Sequence, residues 1–126
     1  MNVLLVGLGG GAGAIARYLL SGAAQGVARG SAFFVGTLLV NVLGCFAIGV
    51  VSELAERRGY ITSEARALVV VGFLGGFTTF SAFANETVNA VRGGTPWLGV
   101  LNVVVSLVTC LAAVWLGRGA LALLVK

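Results

Sequence analysis

The sequence predicts an all-α membrane protein with four transmembrane helices per subunit, and three observations carry that prediction. Only 10% of the residues are charged and 59% are hydrophobic, with a mean hydropathy of +1.07. A soluble domain carries charge at about 25% of its positions. The apolar residues gather into four runs, Val3–Leu20, Phe33–Val51, Ala67–Ala90 and Trp97–Leu124, each close to the ~20 helical residues that cross a ~30 Å hydrocarbon core. The connections between them are short, so residues 1–126 are expected to form one four-span transmembrane domain with no separate soluble part.

The first run contains V-G-L-G-G-G-A-G-A-I-A-R-Y. Its glycines resemble a dinucleotide loop only superficially, because that loop needs a preceding strand and a βαβ unit of about 30 residues. Within a span, small residues let helices approach closely. Arg17 and Tyr18 are expected to end this run, either snorkelling to the interface or drawing anions to an aqueous vestibule. The run lacks a basic leading segment and continues into further spans, so no cleavable signal peptide is expected.

Ser21–Ser31, rich in Gly and Ala, leads to the second run, where Thr37 and Asn41 are four apart and share a helical face, with Gly44 and Cys45 beyond. Glu53–Glu64 is the only strongly polar segment. Thr62 or Ser63, followed by Glu64, suits a helix start for the third run. Gly93–Pro96 reads as a tight turn, with Thr95 as N-cap and Pro96 at the first helical position of the fourth run. That run carries Asn102, Ser106 and Thr109 on one face, with Cys110 alongside.

The third run holds the least expected stretch, G-F-L-G-G-F-T-T-F-S-A-F, Gly72 to Phe83. Gly75-Gly76 and Thr78-Thr79 predict a helix broken near Gly75–Thr79. Backbone groups freed in mid-membrane need partners, and freed carbonyls suit a cation. Phe73, Phe77, Phe80 and Phe83 fit a helical packing stripe, but the positive edge of an aromatic ring can also face an anion. The polar stripes of the second and fourth runs are open to two readings as well. Helix–helix glue is worth ~0.6–2 kcal/mol for each bond; the alternative is a pore or substrate lining.

The net charge of +4 does not point to nucleic acid, because the basic residues form no stripe. Arg29, Arg57, Arg58, Arg66, Arg92, Arg118 and Lys126 sit at or near span ends, where topology signals belong. One side of a four-span bundle would hold Arg57, Arg58, Arg66, Arg118 and Lys126, the other Arg17, Arg29 and Arg92. So small a bias allows both orientations, and two oppositely inserted copies to pair. There is no His and there are only four acidic residues, which excludes His-based metal sites and Ser-His-Asp chemistry. Cys45 and Cys110 read as small packing residues that stay reduced.

The third-run stretch resembles the signature of the Fluc (CrcB) family of small fluoride channels. G-G-G-A-G-A-I-A-R-Y, G-T-L-L-V-N-V-L-G-C-F and the Ser-containing fourth run ending A-V-W-L-G resemble that family's other span motifs, so the likeness covers essentially the whole chain. It implies a dual-topology, antiparallel homodimer with two pores lined by both chains, in the bacterial plasma membrane. Asn41 would donate its amide to fluoride, and Phe80 and Phe83 would present ring edges. Thr79, Ser81 and Ser106 would supply hydroxyls, with Asn102 standing where some relatives carry Tyr. The carbonyls of Gly75 and Thr78 from both subunits would hold one structural sodium ion, neither transported nor catalytic. Arg17 and Glu86 match family residues near the vestibule. The implied role is fluoride resistance by export of the cytoplasmic ion.

A small multidrug exporter is also a four-span protein of this length, but it needs a carboxylate in the first span, and this one has no Asp or Glu. A purely packing or assembly protein would leave the polar stripes unexplained. An intramembrane enzyme would lack His, Asp and paired carboxylates.

Overall fold

The computed structural model describes residues 2–27, 34–58 and 61–124, with the side chains of Arg57, Arg58 and Leu124 excepted. Arg29 and Lys126, two of the span-end charges, lie outside the described residues. Helix α1 spans Asn2–Val27 and α2 Val35–Arg58. The third span runs through α3 (Ser63–Ala65), a π-helical segment (Arg66–Leu74), α4 (Gly75–Phe77) and α5 (Phe80–Arg92). Helix α6 spans Pro96–Leu124. Among the described residues four helical stretches, Asn2–Val27, Val35–Glu56, Ser63–Arg92 and Pro96–Leu123, are long and apolar enough to cross a membrane.

The first helix is longer than the sequence suggested. It continues past Leu20 to Val27, so Arg17 lies inside it rather than at its end. Its glycines serve close packing. A Cβ on Gly9 would overlap the backbone of Leu68 and Phe73, and one on Gly13 the backbone of Phe73 and Phe77. Gly76 and Gly72 answer from the other side, against Gly10 and against Val6 and Gly9. Two backbones approach because neither helix carries a side chain at the crossing.

Helices α2 and α6 make the other extensive interface, and two glycines let it close. Gly49 meets Val114, Gly117 meets the Phe46 carbonyl, and Arg118 lies 3.5 Å from Glu53. One turn on, the Arg118 guanidinium donates two bonds to Glu56, of 2.9 and 2.8 Å. The planar fork of Arg fits a carboxylate in this bidentate way, so Arg118 ties the ends of two spans together.

Local chemistry sets the ends of the third span. Thr62, rather than Ser63, caps its start, its hydroxyl accepting the Ala65 N–H at 3.2 Å. At its far end Gly94 takes φ 82°, while Thr95 N–H reaches the Ala90 carbonyl at 3.0 Å and Gly94 N–H the Val91 carbonyl at 3.3 Å. This is a Schellman closure, which needs a left-handed residue. The Thr95 hydroxyl donates back to the same Ala90 carbonyl at 3.1 Å, closing α5. Pro96 begins α6, where its missing N–H is harmless.

Few large side chains are buried within the chain. Leu4, Leu8, Ile15, Leu19, Leu107, Leu111 and Trp115 are all exposed, an arrangement suited to lipid or to another apolar surface rather than to water.

Candidate functional site

The site begins with two threonines. Thr78 (φ −82°, ψ 157°) and Thr79 (φ −151°, ψ 112°) are extended between α4 and α5. An extended pair in mid-span leaves backbone groups without helical partners, and Asn41 of α2 supplies replacements. Its Nδ2 donates to the Thr79 carbonyl at 3.0 Å and its Oδ1 accepts the Thr79 N–H at 2.8 Å. The Thr79 hydroxyl then caps α5, accepting the Ala82 N–H at 3.2 Å. Gly44 makes room for the arrangement, since a Cβ there would overlap the Thr78 methyl.

These bonds divert two backbone donors from their helical acceptors. In a continuous helix Thr79 N–H would close on the Gly75 carbonyl and Ala82 N–H on the Thr78 carbonyl. Asn41 takes the first donor and the Thr79 hydroxyl takes the second. Carbonyl oxygens whose helical donors are diverted are hard ligands of the kind that hold alkali and alkaline-earth cations, so Gly75 and Thr78 fit the sodium role that the family resemblance implies. Among the described residues no group of three or more His, Cys, Asp or Glu is placed to hold a metal instead.

A cavity of about 450 Å³ opens beside the break. Asn41, Gly44, Cys45 and Ile48 of α2 line it, with Thr78, Thr79, Phe80 and Phe83 from the third span and Ser106 and Cys110 of α6. An amide nitrogen carries two hydrogens; the Thr79 carbonyl takes one from Asn41, and the second remains for a guest. The Phe80 and Phe83 rings lie 5.4 Å apart and tilted by 47°. The four phenylalanines do not form one stripe. The extended pair divides them, and Phe73 and Phe77 stack separately at 5.8 Å.

The other expected residues are distributed differently. Asn102 is 1% exposed and outside the cavity lining. Its Nδ2 donates to the Thr87 hydroxyl at 3.0 Å, its Oδ1 accepts from Ser106 at 3.1 Å, and Thr87 donates onward to the Phe83 carbonyl at 2.8 Å. Asn102 therefore orients Ser106, which does line the cavity, instead of facing it. Asn102→Leu is expected to destabilise the fold by about 1–3 kcal/mol, the net of two lost bonds, measurable by thermal unfolding in detergent. Ser81 is exposed, with its hydroxyl 3.2 Å from that of Thr79.

Arg17 and Glu86 come together. Both line a second cavity of about 320 Å³, with Tyr18, Gln25 and Thr37. Thr37 donates to Glu86 Oε1 at 2.5 Å, while the buried Oε2 has no hydrogen-bond partner among the described residues. Thr79 borders both cavities, which makes the helix break the partition between them. Sequence reasoning had not found Thr87, whose bridging role depends on a neighbouring helix. Cys45 and Cys110, expected to be small packing residues that stay reduced, are both free and line the first cavity.

The fold and this site describe a small multi-pass membrane protein with an interrupted span facing a donor-lined cavity. The model of the family described as "CrcB-like protein, Camphor Resistance (CrcB)" matches residues 4–118, and the chain belongs to that family. Among its relatives is a "Fluoride-specific ion channel FluC" from Solibacter usitatus, 50% identical over 117 residues that cover 93% of this chain and 95% of the relative. Proteins of the same name from Geobacter sulfurreducens (44% identical, covering 92% of this chain and 93% of that one) and Shewanella sp. strain ANA-3 (49%, covering 93% of each) are similar. These relatives are named as ion channels, not as enzymes.

Proposed function

We propose that this chain is a subunit of a fluoride-selective channel that lets cytoplasmic fluoride leave through the plasma membrane down its electrochemical gradient. The observation that carries the proposal is the cavity beside the helix break. It offers an Asn41 N–H and two tilted phenylalanine rings, with no cationic side chain among the described residues of its lining. Fluoride is small and strongly hydrated, so a pore must replace its water with donors. Neutral donors and ring edges do this without the tight hold of a lysine or arginine, and conduction requires binding weak enough to release. The names of the relatives support the choice of anion.

In this reading Arg17 and Glu86 face the aqueous approach, and Thr79 and Ser81 carry hydroxyls at the partition. Phe80 and Phe83 flank the ion beyond it, and Asn102 acts through Ser106. The working unit is an antiparallel homodimer with two pores. The small charge bias between the two ends allows both insertions, and the 77% exposed Phe80 would be covered by the second copy or line its pore. The carbonyls of Gly75 and Thr78 from both chains would hold one sodium ion. When bound it supplies a fixed positive charge that ties the two interrupted helices together, and it is not itself transported. Fluoride that enters a cell as neutral HF and dissociates would leave by this route, which is fluoride resistance.

Phe80→Ile tests the ring assignment. Loss of the ring edge, about 0.5–1.5 kcal/mol, is expected to slow fluoride efflux from proteoliposomes by roughly 3–10-fold while the dimer still assembles on size exclusion. Unchanged efflux, or loss of the folded dimer, would return the ring to packing.

A further inference from the structure

The packing of α2 against α6 brings two thiols to one cavity. Gly49 faces Val114 and Glu53 faces Arg118. Cys45 and Cys110 each lie one helical turn before these positions. Both are free cysteines and both line the 450 Å³ cavity. Asn41 and Ser106, another turn back on the same two faces, line the same cavity. The pair therefore lies along the surface that the proposed function assigns to the anion, and a guest held between the sulfurs would narrow that passage.

We propose that Cys45 and Cys110 form a two-thiolate site for a soft metal cation that favours linear, two-coordinate binding, the mercuric ion being the clearest case, and that its occupation blocks the channel. The blocking half of this proposal rests on the channel reading; the binding half does not. Thiolate sulfur is a soft ligand and selects soft metals. Zinc would need about four ligands in a closed site, and no third His, Cys, Asp or Glu joins the pair among the described residues. A linear ion is saturated by two sulfurs. On binding, each thiol loses its proton to water and forms one sulfur–metal bond. Two thiolates cancel the charge of a divalent ion, so the product is neutral, which an apolar span tolerates far better than a charge. Monovalent soft ions would leave a net negative charge on the same two sulfurs and are disfavoured for that reason.

The test titrates the reconstituted protein with mercuric chloride, counting free thiols with a maleimide and following fluoride efflux in parallel. One mercuric ion per chain is expected to consume both thiols, efflux is expected to stop in step, and dithiothreitol is expected to restore both. Cys45→Ser and Cys110→Ser each keep one thiol. They are expected to lose the metal to a competing monothiol about 100-fold more readily, because the second sulfur acts at high effective concentration. Uptake of two ions per chain, or equal retention by the single-cysteine variants, would overturn the paired site. Full efflux with the metal bound would overturn its position across the ion path. The thiol count reads the site without any flux, so a protein that conducts no fluoride leaves that half of the test intact.

Discussion

Asn41→Asp is expected to reduce fluoride efflux about 1000-fold. The substitution changes shape little but replaces an amide N–H with a carboxylate oxygen in the lining of the cavity. A carboxylate and a fluoride ion about 4 Å apart repel by roughly 4 kcal/mol at the effective dielectric of a partly wet site, and 1.36 kcal/mol is a factor of ten in rate. The same change removes the donor that meets the Thr79 carbonyl at 3.0 Å and sets oxygen against oxygen there. Asn41→Ala separates the two effects. It removes both bonds to Thr79 without adding charge, so its efflux should fall between those of Asn41→Asp and the parent. Efflux from Asn41→Asp equal to that of the parent would remove Asn41 from the path.

Gly13→Ala should destabilise the folded chain by about 1–3 kcal/mol, the range for overpacking a close-packed contact. The new methyl meets backbone atoms of Phe73 and Phe77, which cannot rotate away as a side chain could. The damage would spread, because this crossing holds the segment leading into Thr78 and Thr79. Gly11→Ala is the control, since among the described residues no atom beyond its own stretch of helix lies within 4 Å of a Cβ placed there. Thermal unfolding in detergent should show Gly13→Ala melting well below the parent and Gly11→Ala close to it. Equal melting of the two variants would mean that the crossing is looser than the backbone contacts imply.

The helical spans were legible in the sequence because lipid leaves a chain few options. Backbone groups must be satisfied internally, so long apolar runs become helices. The glycine-rich first run was legible for a related reason, since closely approaching helices need residues without side chains. Its length was not, because Gly22, Ala23, Ala24 and Gly26 carry little hydropathy, yet they continue α1 to Val27. The cavity was legible in part. Asn41 and Ser106 stood out as polar groups among apolar neighbours, and both line it.

Asn102 stood out by the same criterion and proved to be buried between Thr87 and Ser106. Periodicity gives the face a side chain occupies but not which neighbour reaches it first. Asn41 illustrates a second limit. Its amide is read from sequence as a donor, but the Thr79 N–H on its Oδ1 depends on an extended backbone in another span. The cysteine pair was hidden for the same reason, because 65 residues separate Cys45 from Cys110 and only the packing of α2 on α6 brings them to one cavity.

A passive, fluoride-selective path is tested by anion efflux from proteoliposomes. Vesicles loaded with fluoride and chloride are diluted into an anion-poor solution, with ion-selective electrodes reading each anion and a protonophore holding any proton gradient at zero. Rapid release of fluoride is expected while chloride stays inside. Retention of fluoride by vesicles containing well-folded protein, or release of both anions at the same rate, would contradict it.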